Sequence, residues 1–138
     1  MGGVLQENIA VTYYLTVLPF QAANVPDDDG NATTLNADSN DYVATRSGSI
    51  VGLSVRHNAD LTGGVITWRP TINGTGSTGL TAVTDDDAQQ DYATADANVI
   101  PFVAGDRLGV DWTKTGTVAP TTTDVAITLE VLYHDVQL

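Results

Sequence analysis

The chain has 138 residues, no cysteine and a formal net charge of −12 at pH 7. This length predicts one domain over residues 1–138, and the lack of cysteine excludes disulfides, thiolate metal sites and cysteine nucleophiles. With only five basic residues, binding to nucleic acid through phosphates is excluded, and no apolar stretch approaches the roughly 20 residues of a membrane helix, so we expect neither nucleic acid nor membrane as a partner.

The acidic residues are unusual in kind. Aspartate supplies 15 of the 17 acidic side chains, and Lys114 is the only lysine. An acidic protein rich in surface helices would carry many glutamates and lysines, so this pattern indicates few helices. Molar salt shortens the screening length to about 3 Å and removes most of the self-repulsion of such a chain. We therefore favour a halophilic origin, with an acidic extracellular or virion surface in ordinary salt as the alternative.

The N-terminal part of the chain predicts an arm followed by a long strand. We expect residues 1–8 to form a flexible arm. They do not have the pattern of a secretory signal, because they lack both its basic region and its long apolar run. From residue 9 apolar side chains alternate with period two, which indicates a half-buried strand. One face carries Ile9, Val11, Tyr13, Leu15 and Val17, and the other carries Ala10, Thr12, Tyr14 and Thr16.

Residues 20–41 predict a long acidic loop. Within it, "VPDDDGNATTLNADSND" carries five aspartates. Calcium takes about six to eight oxygen ligands, and the segment from Asp27 to Asn31 offers carboxylate and amide oxygens around a glycine. The segment lacks the alternating spacing and the distal glutamate of an EF-hand loop. A calcium site there is therefore the minority hypothesis, and a solvated, salt-tolerant loop is the favoured one.

Two strands and a hairpin turn follow the loop. In "SIVGLSVRHN" one face carries Val51, Leu53 and Val55, and in "VITWRPTING" one face carries Ile66, Trp68 and Ile72. Pro70 predicts an edge strand or a bulge, because proline has no amide to donate to a ladder. "NGTGSTG" predicts a hairpin turn that leads into the short strand "LTAVT".

The second acidic stretch, residues 85–96, predicts a polar loop with one helical turn. Its sequence "DDDAQQDYATAD" repeats the triple aspartate at Asp85 to Asp87. Adjacent side chains of an extended chain point to opposite sides, so three consecutive aspartates converge on an ion only if the backbone curls. Calcium binding is a weaker hypothesis here than at Asp27 to Asn31.

The C-terminal third predicts three strands. "NVIPFVAGDRLGVDWT" predicts a short strand, a Gly-Asp turn at Asp106, and a strand whose Leu108, Val110 and Trp112 face inward. "KTGTVAPTTTD" predicts a loop. In the last strand, "VAITLEVLYHDV", the residues Val125, Ile127, Leu129, Val131 and Tyr133 alternate against Ala126, Thr128, Glu130, Leu132 and His134.

These elements predict an all-β fold of about seven to nine strands joined by turns. No segment has the pattern of an amphipathic helix. The fold class we predict is an antiparallel β-sandwich, with a jelly roll as the favoured topology and an immunoglobulin-like arrangement as the alternative.

The sequence does not predict an enzyme. It has no G-x-S-x-G segment, and we interpret His57 and His134 as ordinary strand-end histidines rather than members of a Ser–His–acid set. Glycoside hydrolysis would need an aromatic-lined groove beside two carboxylates, and aromatic residues are few. We therefore predict no catalytic, cofactor-binding or metal residue and no cofactor.

Two smaller features concern the surface. Arg69 and Arg107 lie in or beside strands, and in so acidic a chain we expect each to pair with an aspartate, within the subunit or across an interface. Asn31 and Asn73 each begin an N-x-T sequon in a predicted loop, so glycosylation depends on the compartment.

Three segments resemble β-sandwich modules from structural proteins of tailed viruses, the head-decoration proteins and head fibres that coat capsids. They are "GSIVGLSVRHNADLTGGVITWRPTINGT", "VIPFVAGDRLGVDWT" and "APTTTDVAITLEVLY", within Gly48 to Tyr133. The resemblance implies a non-enzymatic homotrimer on the outer surface of the virion capsid, bound to the major capsid protein and strengthening the shell. The acidic loop and the shortage of lysine depart from a generic member and suggest a virus of a halophilic, possibly haloarchaeal, host.

Trimerisation would hide edge strands and add buried area, and Tyr14 and Leu132, on the predicted outer faces, are the candidate interface residues. Two alternatives stay open: the receptor-binding tip of a viral head or tail fibre, and a carbohydrate-binding or adhesion module. The latter needs an exposed planar aromatic strip, whereas the alternation places Trp68 and Trp112 in the core.

Overall fold

The chain folds into β-strands joined by turns. A computed structural model describes residues 12–34 and 39–136, and these ranges contain no helix. Within them, accordingly, no helix has the length and apolarity that crossing a membrane requires. The predicted arm at residues 1–8 lies outside the described residues, as do Ile9 and Val11 of the predicted first strand.

The strands form two antiparallel sheets that pack face to face as a β-sandwich, which confirms the predicted fold class. In chain order the strands are β1 (Thr12–Ala22), β2 (Gly30–Asn31), β3 (Thr33–Thr34), β4 (Asp41–Val43), β5 (Gly48–His57), β6 (Gly63–Ile72), β7 (Thr75–Gly76), β8 (Ala82–Thr84), β9 (Gln90–Thr94), β10 (Pro101–Phe102), β11 (Arg107–Ala119) and β12 (Val125–Val136). The first sheet has the order β10-β5-β12-β1-β3, with β9 also paired to β5. The second has the order β2-β11-β6-β7, with β4 also paired to β11 and β8 to β6. The described ranges hold twelve strands, more than the seven to nine predicted, because several strands have only two or three residues. The jelly-roll connectivity stays a prediction.

The core lies between the two sheets. Strand β12 buries the apolar face predicted for it, with Val125, Ile127, Leu129 and Val131 all inside. Full burial of such an aliphatic side chain contributes roughly 1.5–3 kcal/mol. The second sheet contributes both tryptophans, Trp68 and Trp112, whose ring centroids lie 5.1 Å apart. Their predicted place in the core is confirmed.

Strand β1 turns the opposite face to the core from the one predicted. Leu18 pairs with Leu129 of β12, and directly paired residues of antiparallel strands share a face. Leu129 is buried, so Leu18 faces the core. Leu15, three residues earlier in the strand, lies on the opposite, outer face, where it is 59% exposed. The predicted division, with Tyr14 outward and Leu15 inward, is wrong because both faces of this strand carry apolar residues, so a period of two does not reveal which face is buried.

Strand β5 contains a bulge that changes its buried face. Glu130 of β12 pairs with Gly52 and the next residue, Val131, pairs with Ile50, so Val51 has no partner in β12. An extra residue of this kind shifts the alternation by one position. Ile50 is buried in place of Val51, while Leu53 and Val55 are buried as predicted.

Pro70 lies in neither an edge strand nor a bulge, so that prediction is wrong. Strand β6 pairs with β11 along one side and with two short strands along the other. On that second side β8 pairs with β6 as far as Trp68, and β7 pairs from Thr71 onward. Pro70 falls in the gap between them, where no partner strand needs its missing amide.

The predicted hairpin turn is confirmed. Ile72 pairs with Thr75, and the two residues between them, Asn73 and Gly74, have φ angles of 53° and 84°. Positive φ at both central positions defines the turn that best fits the twist of a hairpin, and Asn-Gly is its preferred sequence.

Segments predicted as loops contain strands. Within residues 20–41, β1 continues to Ala22, and β2 and β3 follow. Residues 85–96 contain β9 in place of the predicted helical turn. Strand β11 continues through "KTGTVA" to Ala119. In β9 exposed and half-buried residues alternate, and none is fully buried. Strands at the edge of a sheet bury little of their surface, so they contain mostly polar residues. Their alternation of apolar and polar residues is therefore too weak to predict a strand.

Candidate functional site

The first triple aspartate attaches its loop to strand β11. Asp27 Oδ1 accepts a hydrogen bond from the Val118 amide at 2.8 Å and lies 3.0 Å from Lys114 Nζ. Asp29 Oδ1 accepts from the Lys114 amide at 2.9 Å. The Val118 amide, and then the Lys114 ammonium, lower the pKa of Asp27. The carboxylates of this loop thus hold it against the second sheet.

Trp112 holds the same loop from the core side. Its Nε1–H donates to the Asp28 carbonyl oxygen at 2.9 Å. Gly30 packs so closely on the indole that a Cβ at this position would lie 2.5 Å from Trp112 Cζ2. The "DDDG" sequence therefore docks the loop on strand β11, a role that its composition did not predict; its one local signal is Gly30, since a glycine permits close backbone approach.

The second triple aspartate closes a turn. Asp85 Oδ1 accepts from the amides of Asp87 and Ala88, each at 2.9 Å. Metal ions in proteins are bound mainly by His, Cys, Asp and Glu side chains. Across residues 12–34 and 39–136, the one group of three such residues whose ligand atoms all lie within 4.8 Å of one another is Asp85, Asp86 and Asp87. Because Asp86 and Asp87 are exposed and Asp85 is bonded within the turn, the arrangement is explained by turn stabilisation, and we assign no metal site.

The same use of aspartate recurs across the surface. In the described part of the chain, the aspartates whose side chains accept from a backbone amide are Asp27, Asp28, Asp29, Asp85, Asp91, Asp106 and Asp124. The Val103 amide and then the Asn73 side chain lower the pKa of Asp106. An aspartate carboxylate is short enough to reach backbone amides in its own or a neighbouring turn. The preference for aspartate over glutamate thus has a structural cause in addition to its charge.

The two predicted arginine ion pairs are present within the subunit. Arg69 Nε lies 2.7 Å from Asp111 Oδ1 and its Nη2 lies 3.0 Å from Asp111 Oδ2, across the β6–β11 pair. This two-point contact is the strongest geometry for an arginine and a carboxylate. Arg107 Nη1 lies 3.3 Å from Asp41 Oδ2.

His57 belongs to a buried polar network, which fits its interpretation as a structural strand-end histidine. It is the last residue of β5 and is 1% exposed. Its Nδ1 lies 3.1 Å from Thr123 Oγ1 and its Nε2 lies 2.9 Å from Thr84 Oγ1. Trp68 Nε1 donates to the same Thr84 oxygen at 3.0 Å. Burial lowers the pKa of His57, so the neutral ring is favoured in the folded chain.

We expect this histidine to make the fold less stable in mild acid. The pKa of His57 in the folded chain lies below its ordinary value of 6.5. At a pH between these two pKa values, the unfolded chain binds a proton at His57 that the folded chain does not. The contribution of His57 to the free energy of unfolding is therefore complete above about pH 6.5. It falls as the pH decreases below that value, by at most about 1.4 kcal/mol per pH unit. Asp27 and Asp106 have pKa values lowered from 3.8, so their loss of stability comes at lower pH.

Urea unfolding between about pH 8 and pH 5, on the wild type and on a His57→Gln variant, measures this dependence. The variant should lose less of its own stability over the range. Equal losses would show that His57 does not cause the acid sensitivity.

The two sequons lie in different settings. The Asn73 side chain donates to Asp106 and accepts from the Arg107 amide, so it is built into the turn. Asn31 is exposed in β2. Glycosylation at either position stays a prediction.

The predicted interface residues, Tyr14 and Leu132, do not come together on one face. Leu132 pairs with Leu15, whereas Tyr14 pairs with Tyr133. The outer face of the first sheet instead presents the apolar group of Tyr13, Leu15, Val17 and Leu132, here named the β1 patch. Tyr13 and Leu132 also line a shallow hollow of about 290 Å³.

A second feature of this outer face is an open groove. It has a volume of about 400 Å³ and its lining includes Ser54, Arg56, Gln90, Tyr92 and Thr128. Small side chains of β5 and β12 form its floor, and Tyr92 on β9, which is 76% exposed, forms a wall. Arg56 Nη1 donates to Gln90 Oε1 at 3.3 Å at one end. The groove offers an aromatic ring, hydroxyls and a cation.

Comparison with known proteins shows similarity of fold only. The sequence matches no protein-family model and no curated protein. Among solved structures, a chain of the acidic stable capsid structure of Helicobacter pylori bacteriophage KHP30 aligns with a TM-score of 0.50 and 10% identity, covering 94% of this chain and all of that one. A chain of the cyanophage Pam1 capsid asymmetric unit aligns with a TM-score of 0.41 and 14% identity, covering 90% of this chain and 84% of that one. At this level of identity, the KHP30 alignment shows that the protein shares its fold with a chain of a bacteriophage capsid.

Proposed function

We propose that this protein is a structural component of a tailed virus: a non-enzymatic decoration, or cement, protein that trimerises on the outside of the icosahedral head, contacts the major capsid protein and stabilises the shell. The observation that carries the proposal is the alignment with the KHP30 capsid chain, which extends over the full length of that chain and 94% of this one. Agreement over so much of both chains means that the whole sandwich, rather than a common sheet motif, is shared.

The use of the polar side chains supports a structural role. The first acidic loop is occupied in holding β11, the second closes its own turn, and His57 is bonded to two threonine hydroxyls. Function has to be argued from such sites because one fold serves many functions. The hydrogen bonds of Asp27, Asp85 and His57 stabilise the fold, which supports a non-enzymatic role.

The acidic surface supports a further part of the proposal, adaptation to high salt. Three of the basic side chains in the described part form ion pairs with aspartates, so most of the negative charge is left to be balanced by ions from solution. At molar salt, with a screening length of about 3 Å, many such copies can crowd on one shell. A virus of a halophilic host is the setting that fits this charge.

The outer groove favours a second candidate function, binding of a carbohydrate by a fibre tip or adhesion module. The exposed Tyr92 ring could stack on a sugar, while Arg56 and the hydroxyls of Ser54 and Thr128 supply polar contacts. One ring is a small platform, and both tryptophans are in the core. For these reasons we rank it second.

Counting the copies of this chain in purified virions by quantitative mass spectrometry tests the proposal. A decoration protein is present in hundreds of copies, because an icosahedral shell repeats its surface positions many times, whereas a fibre tip is present in roughly a dozen or fewer. Absence of the chain from the virion would exclude both viral functions.

A further inference from the structure

Strand β1 leaves part of one backbone edge without a partner among the described residues. Along one side it pairs with β12, from Thr12 to Ala22. Along the other side it pairs only with β3, at Phe20 and Gln21. From residue 12 to residue 18 no strand of the described residues pairs with this edge, whereas the Pro19 carbonyl oxygen accepts a hydrogen bond from the Tyr42 hydroxyl at 2.8 Å. Natural proteins protect such edges with charges, bulges or a covering element, because an open edge recruits another strand.

The side chains of this edge increase its tendency to associate. Tyr13, Leu15 and Val17 are 58%, 59% and 52% exposed on the outer face. Leu15 lies directly opposite Leu132, so the exposed apolar surface continues onto β12. Scattered apolar residues on a surface are normal, but a contiguous group beside an open strand edge marks an interaction site.

Charge indicates which partner fits. Residues 8–26 contain no Asp, Glu, Lys or Arg, although the chain carries −12 in total. Two copies of so acidic a protein repel each other over most of their surfaces, and a neutral apolar face is where they can meet at the lowest electrostatic cost. The titratable neighbours of the patch are Glu130, which pairs with Val17, and His134, which lines the hollow beside Tyr13.

We propose that the β1 patch is the surface on which a second copy of this chain docks. The inference rests on the proposed function, since it assigns the contact by which the proposed trimer would form, and it replaces Tyr14 with Leu15 as the central residue. Burial of the patch would cover the apolar side chains and the open edge together.

The test is sedimentation of the full chain at micromolar concentration, in low and in molar salt, for the wild type and three variants. Leu15→Asp places a charge in the centre of the patch. Val43→Asp, at a 63% exposed position in the second sheet, adds the same charge elsewhere. The wild type and Val43→Asp should form the same oligomer, whereas Leu15→Asp should dissociate at least about tenfold more readily, because a charge desolvated in an interface is costly. The circular dichroism spectra of both aspartate variants should match that of the wild type, and Leu15→Ser, which adds no charge, should weaken association to a smaller degree.

An oligomer that withstands Leu15→Asp would overturn the inference and leave the proposed function intact, since the copies would then meet elsewhere. A wild-type monomer at all salt concentrations whose binding to viral heads is lost in Leu15→Asp would also overturn it, by showing that the shell occupies the patch. If the wild-type oligomer dissociates as expected in the variant but the protein is absent from virions, the inference holds and the proposed function fails.

Discussion

Replacing Thr84 with valine is expected to lower the free energy of unfolding by about 2–4 kcal/mol, although the two side chains have nearly the same shape. Thr84 is fully buried, and its hydroxyl oxygen bonds both Trp68 Nε1 and His57 Nε2. Valine would leave two buried polar groups without this partner. Each unsatisfied buried group costs about 1–3 kcal/mol, so the loss exceeds that of an ordinary hydrogen bond.

The control is Thr128→Val. Thr128 lies on the outer face of β12, half-buried, where its hydroxyl contacts Ser54 and water can replace that contact. Its loss should change the stability by about 0.5 kcal/mol or less. Urea unfolding followed by tryptophan fluorescence measures both variants. If they cost the same, the His57–Thr84–Trp68 network does not stabilise the core as described.

Replacing Gly64 with alanine is expected to cost about 2–5 kcal/mol. Gly64 has a φ angle of 81°, and a Cβ there would lie 2.7 Å from Val118 Cα and 2.8 Å from Val118 N. The left-handed backbone costs a residue with a Cβ about 1–2 kcal/mol, and forcing the neighbouring strand away costs about 1–3 kcal/mol more. Val118 is also the residue whose amide holds Asp27, so its displacement should loosen the first acidic loop.

Gly74→Ala separates these two terms. Gly74 has nearly the same φ angle, 84°, but a Cβ there would meet no atom within 4 Å. Only the backbone cost applies, so urea denaturation should show a loss about 1–3 kcal/mol smaller than for Gly64→Ala. Similar losses for the two variants would mean that the close approach of Gly64 to Val118 does not constrain the fold.

Sequence patterns predicted the interior strands well because burial on a single face leaves a clear alternation. Strand β12 has apolar residues on its inner face and mostly polar ones on its outer face, and its buried side chains were all predicted. Strand β1 has apolar residues on both faces, so the alternation identified a strand but not its orientation. The strand β9 was missed because neither of its faces is fully buried.

The acidic loops show where reasoning from composition reached its limit. The preference for aspartate over glutamate and lysine indicated few helices, and residues 12–34 and 39–136 contain none. Composition could not reveal that Asp27 and Asp29 accept amides from β11, because Val118 and Lys114 are about ninety residues away in the chain. Such contacts depend on the sheet order, which local patterns do not encode.

The measurement that tests the central claim most directly is the number of copies of this chain in purified virions, with heads separated from tails before quantitative mass spectrometry. We expect hundreds of copies, all in the head fraction, at a fixed ratio to the major capsid protein, because a decoration protein occupies positions that the icosahedral shell repeats. A count of about a dozen or fewer in the tail fraction, or absence from the virion, would contradict the assignment as a capsid decoration protein.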